Sequence, residues 1–178
     1  MNSLSEVLTD LRRPFTAAAV RWKIQTNPKT PTSSALIVAF IDSRLVAERL
    51  NTVVGGDWSD TYAPLAGTSV VCRLTVLGAT REDVGWTADV SSDKGVKTVY
   101  SDAFKRAGVK FGIGSSLYAL PQIWLRADQL KQRGTSWAIS PEADRQLRDR
   151  YATWVARPEV EKRFGKPIDH GDTNEVMG

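Results

Sequence analysis

Lys105, Arg106 and Lys110 lie within six residues of one another, with Asp102 the one acid close by. Tyr100, Phe104, Ala107 and Phe111 recur beside them at steps of four, three and four residues. That spacing packs one helical stripe against a core while the cations stand beside it. Cations fixed on a rigid helix can hold an anion, so the chemistry on offer is electrostatic. The stretch 101–118 then runs through Gly112-Ile113-Gly114, where glycine supplies the left-handed or close-approach geometry that stops a helix. Taken alone, a charge cluster on a helix is more often its solvated face.

Covalent and metal chemistry have less to work with. The one histidine, His170, stands near the C-terminal end, and the one cysteine is Cys72. No Ser-His-Asp or Cys-His arrangement can be assembled in the body, and one Cys with one His cannot make a zinc site. No GxxxxGK[ST] loop occurs, and Gly112-Ile113-Gly114-Ser115-Ser116-Leu117 lacks the third glycine of a dinucleotide fingerprint. Glu82 and Asp83 are neighbours on a strand-like segment, point to opposite faces, and read as turn and edge charges. The expectation is no catalytic residue, no metal, no cofactor and no enzymatic activity. The six tryptophans read as core or oligomer contacts, and Trp22, between Arg21 and Lys23, as packing rather than base stacking.

The elements that would position these residues follow from periodicity. Residues 3–13 form an amphipathic helix with Ser3 and Glu6 at capping-box spacing and Pro14 as its stop. Residues 19–25 alternate as a strand. A short apolar run at 35–41 leads to Asp42 or Ser43 as the cap of a helix carrying Leu45, Val46, Leu50, Val53 and Val54, which stops at Gly55-Gly56. Residues 57–63, 68–77 and 81–87 read as three strands, the last two joined by a turn at Gly78-Ala79-Thr80. A polar loop at 91–95 precedes the basic helix. Ser140-Pro141 opens a last helix with Leu147, Tyr151, Trp154 and Val155 inside, ending before Pro158. The remainder is polar and is expected to be mobile. Helix, strand, helix, a three-strand meander and further helices give an α+β fold with an antiparallel sheet.

With 178 residues and 42% hydrophobic residues, the chain suits one domain, or one domain with an appendage, and can bury a core. Residues 141–178 hold 7 Lys and Arg against 8 Asp and Glu, the other 140 residues 17 against 12. The cationic excess therefore sits in the body, which favours a folded surface that meets polyanions. No apolar run approaches the roughly 18 residues of a membrane span. The N-terminus lacks a basic n-region, and one cysteine excludes an internal disulfide, so a cytoplasmic location is expected.

Three segments carry a family resemblance. The first is the helix 42–51 leading through Gly55-Gly56 to Asp57-Trp58-Ser59. The second is Arg81-Glu82-Asp83-Val84-Gly85-Trp86. The third is Ser101-Asp102-Ala103-Phe104-Lys105-Arg106-Ala107 followed by Phe111-Gly112-Ile113-Gly114. In this order they resemble the single-strand annealing proteins of the Rad-fifty-two type, nearest to the bacterial DNA damage response (DdrA) branch, from about Leu4 to about Trp124. The resemblance implies a curved antiparallel β-meander with a long basic helix packed across it, assembling into an oligomeric ring. A cationic groove would hold single-stranded DNA by its backbone and leave the bases free to pair. Lys105 and Arg106 match the family's adjacent basic pair, Lys97 a basic residue before it, and Arg44 an arginine at the start of the first long helix. Lys110 and Arg73 complete the expected DNA-binding set, while Gly112, Gly114, Phe104, Phe111 and Gly85 are expected to be structural. Val109 stands where the family has a further arginine.

The function implied is non-enzymatic annealing of complementary strands in recombination and double-strand break repair. The alternatives are protection of 3′ ends with little annealing, and a module that docks an acidic protein. The expected partners are single-stranded DNA and further copies of the chain, with a single-strand binding protein as a candidate and no membrane. Residues 1–133 would form the DNA-binding core and 134–178 the C-terminal helix and tail. A bacterial or phage origin and association with the nucleoid on damage complete the expectation.

Overall fold

The computed structural model describes residues 3–30, 32–65, 67–88, 92–134 and 136–170. In chain order the elements are α1 (Leu4–Leu11), β1 (Arg21–Thr26), β2 (Ser34–Phe40), α2 (Ser43–Val54), β3 (Trp58–Pro64), β4 (Ser69–Val76), β5 (Ala79–Trp86), α3 (Asp93–Lys110), β6 (Ile123–Arg126), β7 (Leu130–Arg133), β8 (Ser136–Ile139), α4 (Pro141–Val155) and α5 (Pro158–Phe164). All strand pairs between these elements are antiparallel, so the fold is α+β as expected. No helix among the described residues is long and apolar enough to cross a membrane. The chain packs as two compact units that interleave along the sequence. One holds residues 1–14 and 42–116, the other residues 15–41 and 117–178.

The first unit is the meander β3-β4-β5 with α3 packed on β4 and β5. Strand alternation puts Val70, Cys72, Leu74 and Val76 on one face, and all four are buried. Each such apolar side chain contributes about 1.5–3 kcal/mol on leaving water. The register aligns Cys72 with Asp83, Leu74 with Arg81 and Val70 with Gly85, so these β5 residues share the helix-facing side. The β4–β5 turn is tighter than the expected Gly78-Ala79-Thr80. Val76 pairs with Ala79, leaving Leu77 and Gly78 as the two turn residues, at φ 48° and 78°. Two consecutive positive φ values suit the twist of a two-residue hairpin, and Leu77 accepts the strained one.

Helix α3 lies close on the sheet because small residues face it. Its buried positions are Gly95, Val99, Ala103, Phe104, Ala107 and Gly108. A Cβ at Gly85 would stand 2.2 Å from the Val99 carbonyl oxygen and 2.5 Å from the Ala103 nitrogen, so only glycine fits. This geometry corrects two expectations. The helix begins at Asp93, not after a loop at 91–95 (Ser91 lies outside the described residues), with Ser92 accepting from the Gly95 N–H at 3.1 Å. The packed stripe runs through Val99 and Ala103, while Tyr100 remains 40% exposed.

Helices α1 and α2 complete this unit. Ser3 and Glu6 form the expected capping box, and Asp42 caps α2 by accepting from the Leu45 N–H at 3.1 Å. Arg49 of α2 is fully buried and donates to the carbonyls of Leu11 at 3.1 Å and Arg13 at 2.6 Å, with longer bonds to Asp10 and Pro14. It thereby satisfies the carbonyls that the end of α1 leaves open. Gly112 and Gly114 have φ of 97° and 72°, the left-handed geometry expected where α3 ends, and a Cβ on Gly112 would meet Arg12 at 2.8 Å.

In the second unit β2 is the central strand of β1-β2-β6. The apolar run at 35–41, read only as a lead into α2, is thus a strand with neighbours on both sides. Strands β6, β7 and β8 occupy a stretch to which the sequence pattern assigned no element. Their runs are four residues each, too short for periodicity to declare. Trp22 packs edge-on against Tyr151 at 6.3 Å, as expected of a core tryptophan, and the Tyr151 hydroxyl donates to the Phe15 carbonyl at 3.1 Å. Trp86 of the first unit and Trp124 are not core residues, at 63% and 52% exposed. The segment from Glu161 onward, expected to be mobile, instead begins within α5, where Val160 and Phe164 are buried. Ile168 bridges to Phe15, and the His170 ring lies 5.4 Å from the Phe15 ring. Residues 171–178 of that tail lie outside the described residues.

Candidate nucleic-acid interface

The six expected DNA-binding residues all fall in the first unit, and the structure divides them. Arg106 and Lys110 lean toward β5, where Asp83 receives both, at 3.1 Å from Arg106 Nε and 3.4 Å from Lys110 Nζ. Burial alone would raise the Asp83 carboxyl. The Val84 N–H, the Arg106 hydrogen bond and the Arg106 and Lys110 charges outweigh it and hold the group below its ordinary value. Lys110 also donates to the Glu82 carbonyl, and Arg81 donates to the Lys110 carbonyl in return. The Arg81 guanidinium lies over the Phe111 ring at 4.6 Å. These bonds fasten the last turn of α3 to β5.

Arg73 stands apart from the rest. It alternates with the buried Cys72 and Leu74, so it lies on the face of the meander away from α3, paired with Glu82 at 2.5 Å. The structure does not bring it together with the helix cations.

Lys97 and Lys105 lie eight residues apart on α3, with Ser101 between them, and the spacing of four places all three on one face. Ser101 and Arg44 both line a cleft of about 310 Å³ bounded by the first turn of α2, β3 and α3. Among the described residues, Lys97, Lys105 and Arg44 make no hydrogen bond or ion pair. Lys97 and Lys105 thus flank Ser101 on α3, and Arg44 lines the same cleft as Ser101. Phe104 and Phe111 are buried beneath the helix as expected, and Gly85 is the point of closest approach between helix and sheet.

The sequence reading passed over Asp83 as an edge charge. The signal for its role is there in outline. Arg81, Asp83 and Gly85 alternate on one side of β5, so an acid on that side must face whatever covers the sheet, and a basic helix follows in the chain. The aromatic lining of the cleft, Trp58, Tyr62, Tyr100 and Phe104, carries no such signal, since two elements far apart in the chain, β3 and α3, supply it.

Residues 3–135 match the family model described as Rad52/22 family double-strand break repair protein. This chain belongs to the Rad52/22 family. The match covers every cation described above and leaves out α4 and α5. Two curated relatives of this Rad52/22 chain carry the name single-stranded DNA-binding protein DdrA. The one from Deinococcus deserti is 42% identical over 143 residues, 78% of this chain and 70% of its own. The one from Deinococcus radiodurans is 42% identical over 132 residues, 72% of this chain and 62% of its own. The resemblance read from three short motifs is thus met at the level of both family and branch. No solved structure matches the chain.

Proposed function

We propose that this chain binds single-stranded DNA by its phosphates and promotes annealing of complementary strands in recombination and double-strand break repair, without catalysing a covalent step. The observation that carries the reading is the group of unpaired cations, Lys97, Lys105 and Arg44, held on α3 and α2 against a rigid meander. Membership of the Rad52/22 family and the name of the two Deinococcus relatives support it. Backbone binding needs no base-reading residue and leaves base edges open to a second strand. Residues 1–133 would supply this core and the C-terminal helices an accessory part, in the cytoplasm and at the damaged nucleoid.

Assembly into a ring belongs to the same proposal. β3 and β5 are the edges of the meander, and Leu65 and Trp86 are exposed on or beside them. Edge pairing between copies would cover both. Mass photometry at micromolar concentration should then show a large multiple of 19.6 kDa.

Annealing of complementary oligonucleotides in EDTA and without ATP tests the function. The protein should accelerate it, and a variant with Lys97→Glu, Lys105→Glu and Arg44→Glu should not. Tight binding with no gain in annealing rate would instead favour protection of strand ends.

A further inference from the structure

The cleft that Arg44 and Ser101 share is lined by more aromatic surface than phosphate binding requires. Tyr62 of β3 and Tyr100 of α3 meet there with ring centroids 5.1 Å apart at 59°, yet they stay 38% and 40% exposed. Behind them Trp58 packs on Phe104 at 6.0 Å and donates its Nε1–H to Asn51 at 2.8 Å. The Tyr62 hydroxyl donates to Asp60 at 2.5 Å. Both rings are thus held in place before any ligand arrives, and their remaining open surface is the kind on which flat, uncharged groups stack.

The charges of the cleft suit one ligand class. Arg44 attracts a phosphate, while the Asp60 carboxylate at the Tyr62 hydroxyl repels one from the tyrosines. A nucleotide satisfies both, with its phosphate at Arg44 and its neutral base on the rings. The volume of about 310 Å³ sits at the lower end of the range for small-ligand sites, roughly 300–1,000 Å³.

We propose that this cleft receives one unpaired nucleobase of the bound strand, stacked on Tyr62 and Tyr100 while Arg44 holds a neighbouring phosphate. The inference rests on the single-stranded DNA reading and adds to it a base-dependent contact that phosphate binding alone does not contain. Stacking is tolerant of sequence because every base has a π-face, so the contact need not select a sequence. It would set the strand's register on the protein, with one base drawn aside at each occupied cleft.

The test compares oligothymidylate with an abasic oligomer of the same length, hence the same phosphates, at one salt concentration. The full chain should bind the thymidylate about tenfold more tightly. Tyr62→Ala with Tyr100→Ala should lose that preference and keep its affinity for the abasic oligomer, whereas Tyr62→Phe with Tyr100→Phe should retain the preference. A 2-aminopurine in the strand should be quenched by the wild type and by the phenylalanine variant only. Equal binding of both oligomers by the wild type overturns the base site while leaving phosphate binding intact. Binding of neither oligomer overturns the DNA reading and this inference with it. If the alanine variant loses assembled mass, or weakens on both oligomers alike, the tyrosines form a contact between copies and the proposal fails.

Discussion

On its β5 side α3 places Arg106 and Lys110, and both end on Asp83. Lys97 and Lys105 share another face of α3 with Ser101, which lines the same cleft as Arg44, and none of these three cations has an ion pair among the described residues. The residue types match and their uses differ. The first pair is spent inside the protein, where it fixes the end of the helix to the sheet. The second set has no acid partner among the described residues. A cluster of cations in sequence therefore overstates the charge available to a ligand, because one acid from the preceding strand can pair with two of them and cancel one of their two charges. Arg106 belongs to the first set and its neighbour in sequence, Lys105, to the second.

The difference can be attacked from several directions. Gly85→Val should have the largest effect, because a side chain there collides with the backbone of α3 and disturbs both flanks at once. A loss of about 3 kcal/mol in urea denaturation is expected, together with loss of DNA binding. An unchanged unfolding midpoint would mean that helix and sheet are further apart than described. Next comes reversal of the open flank, Lys97→Glu with Lys105→Glu and Arg44→Glu. Affinity for single-stranded DNA should fall about a hundredfold at low salt, and the slope of log affinity against log salt should flatten by about 2. The melting temperature should stay within a few degrees, since none of the three is bonded in the fold.

Asp83→Asn separates the flanks by sign. Releasing Arg106 and Lys110 should raise DNA affinity a few-fold while costing stability by roughly 1 kcal/mol or less, because both cations are about half exposed. The carboxyl lies below its ordinary value of 3.8 in the folded protein. Its contribution is therefore complete above that value and disappears as pH falls through the lower folded one. Denaturation curves of wild type and variant should converge as pH drops below about 4. A gap that stays constant with pH would show that the Asp83 charge is not what fastens the helix. The smallest effect is expected from Arg73→Gln. Its pair with Glu82 is exposed on the far face, so stability should change by about 0.5 kcal/mol or less and DNA affinity hardly at all. A large loss of affinity would place a DNA contact on the outer face of the meander.

Local chemistry is what the sequence determined by itself. Ser3, Asp42 and Ser140 cap the helices they precede, because an oxygen at that position meets amides only a few residues away. The period-two pattern from Val70 to Val76 names the buried face of β4, and the three family motifs give the family. The tertiary structure alone decided matters that depend on partners far along the chain. Ala35 and Ile37 became strand residues because β6, some ninety positions later, closes the second side of β2. Arg49 reads as one more charge on a helix until the end of α1 surrounds it with carbonyls. Tyr100 fits the helical stripe by spacing, yet the small residues Ala103 and Ala107 turned the helix so that it faces the cleft. Asp83, Arg106 and Lys110 show the same limit in charge. Spacing fixes which side of an element a residue occupies, and only packing decides which charge it meets there.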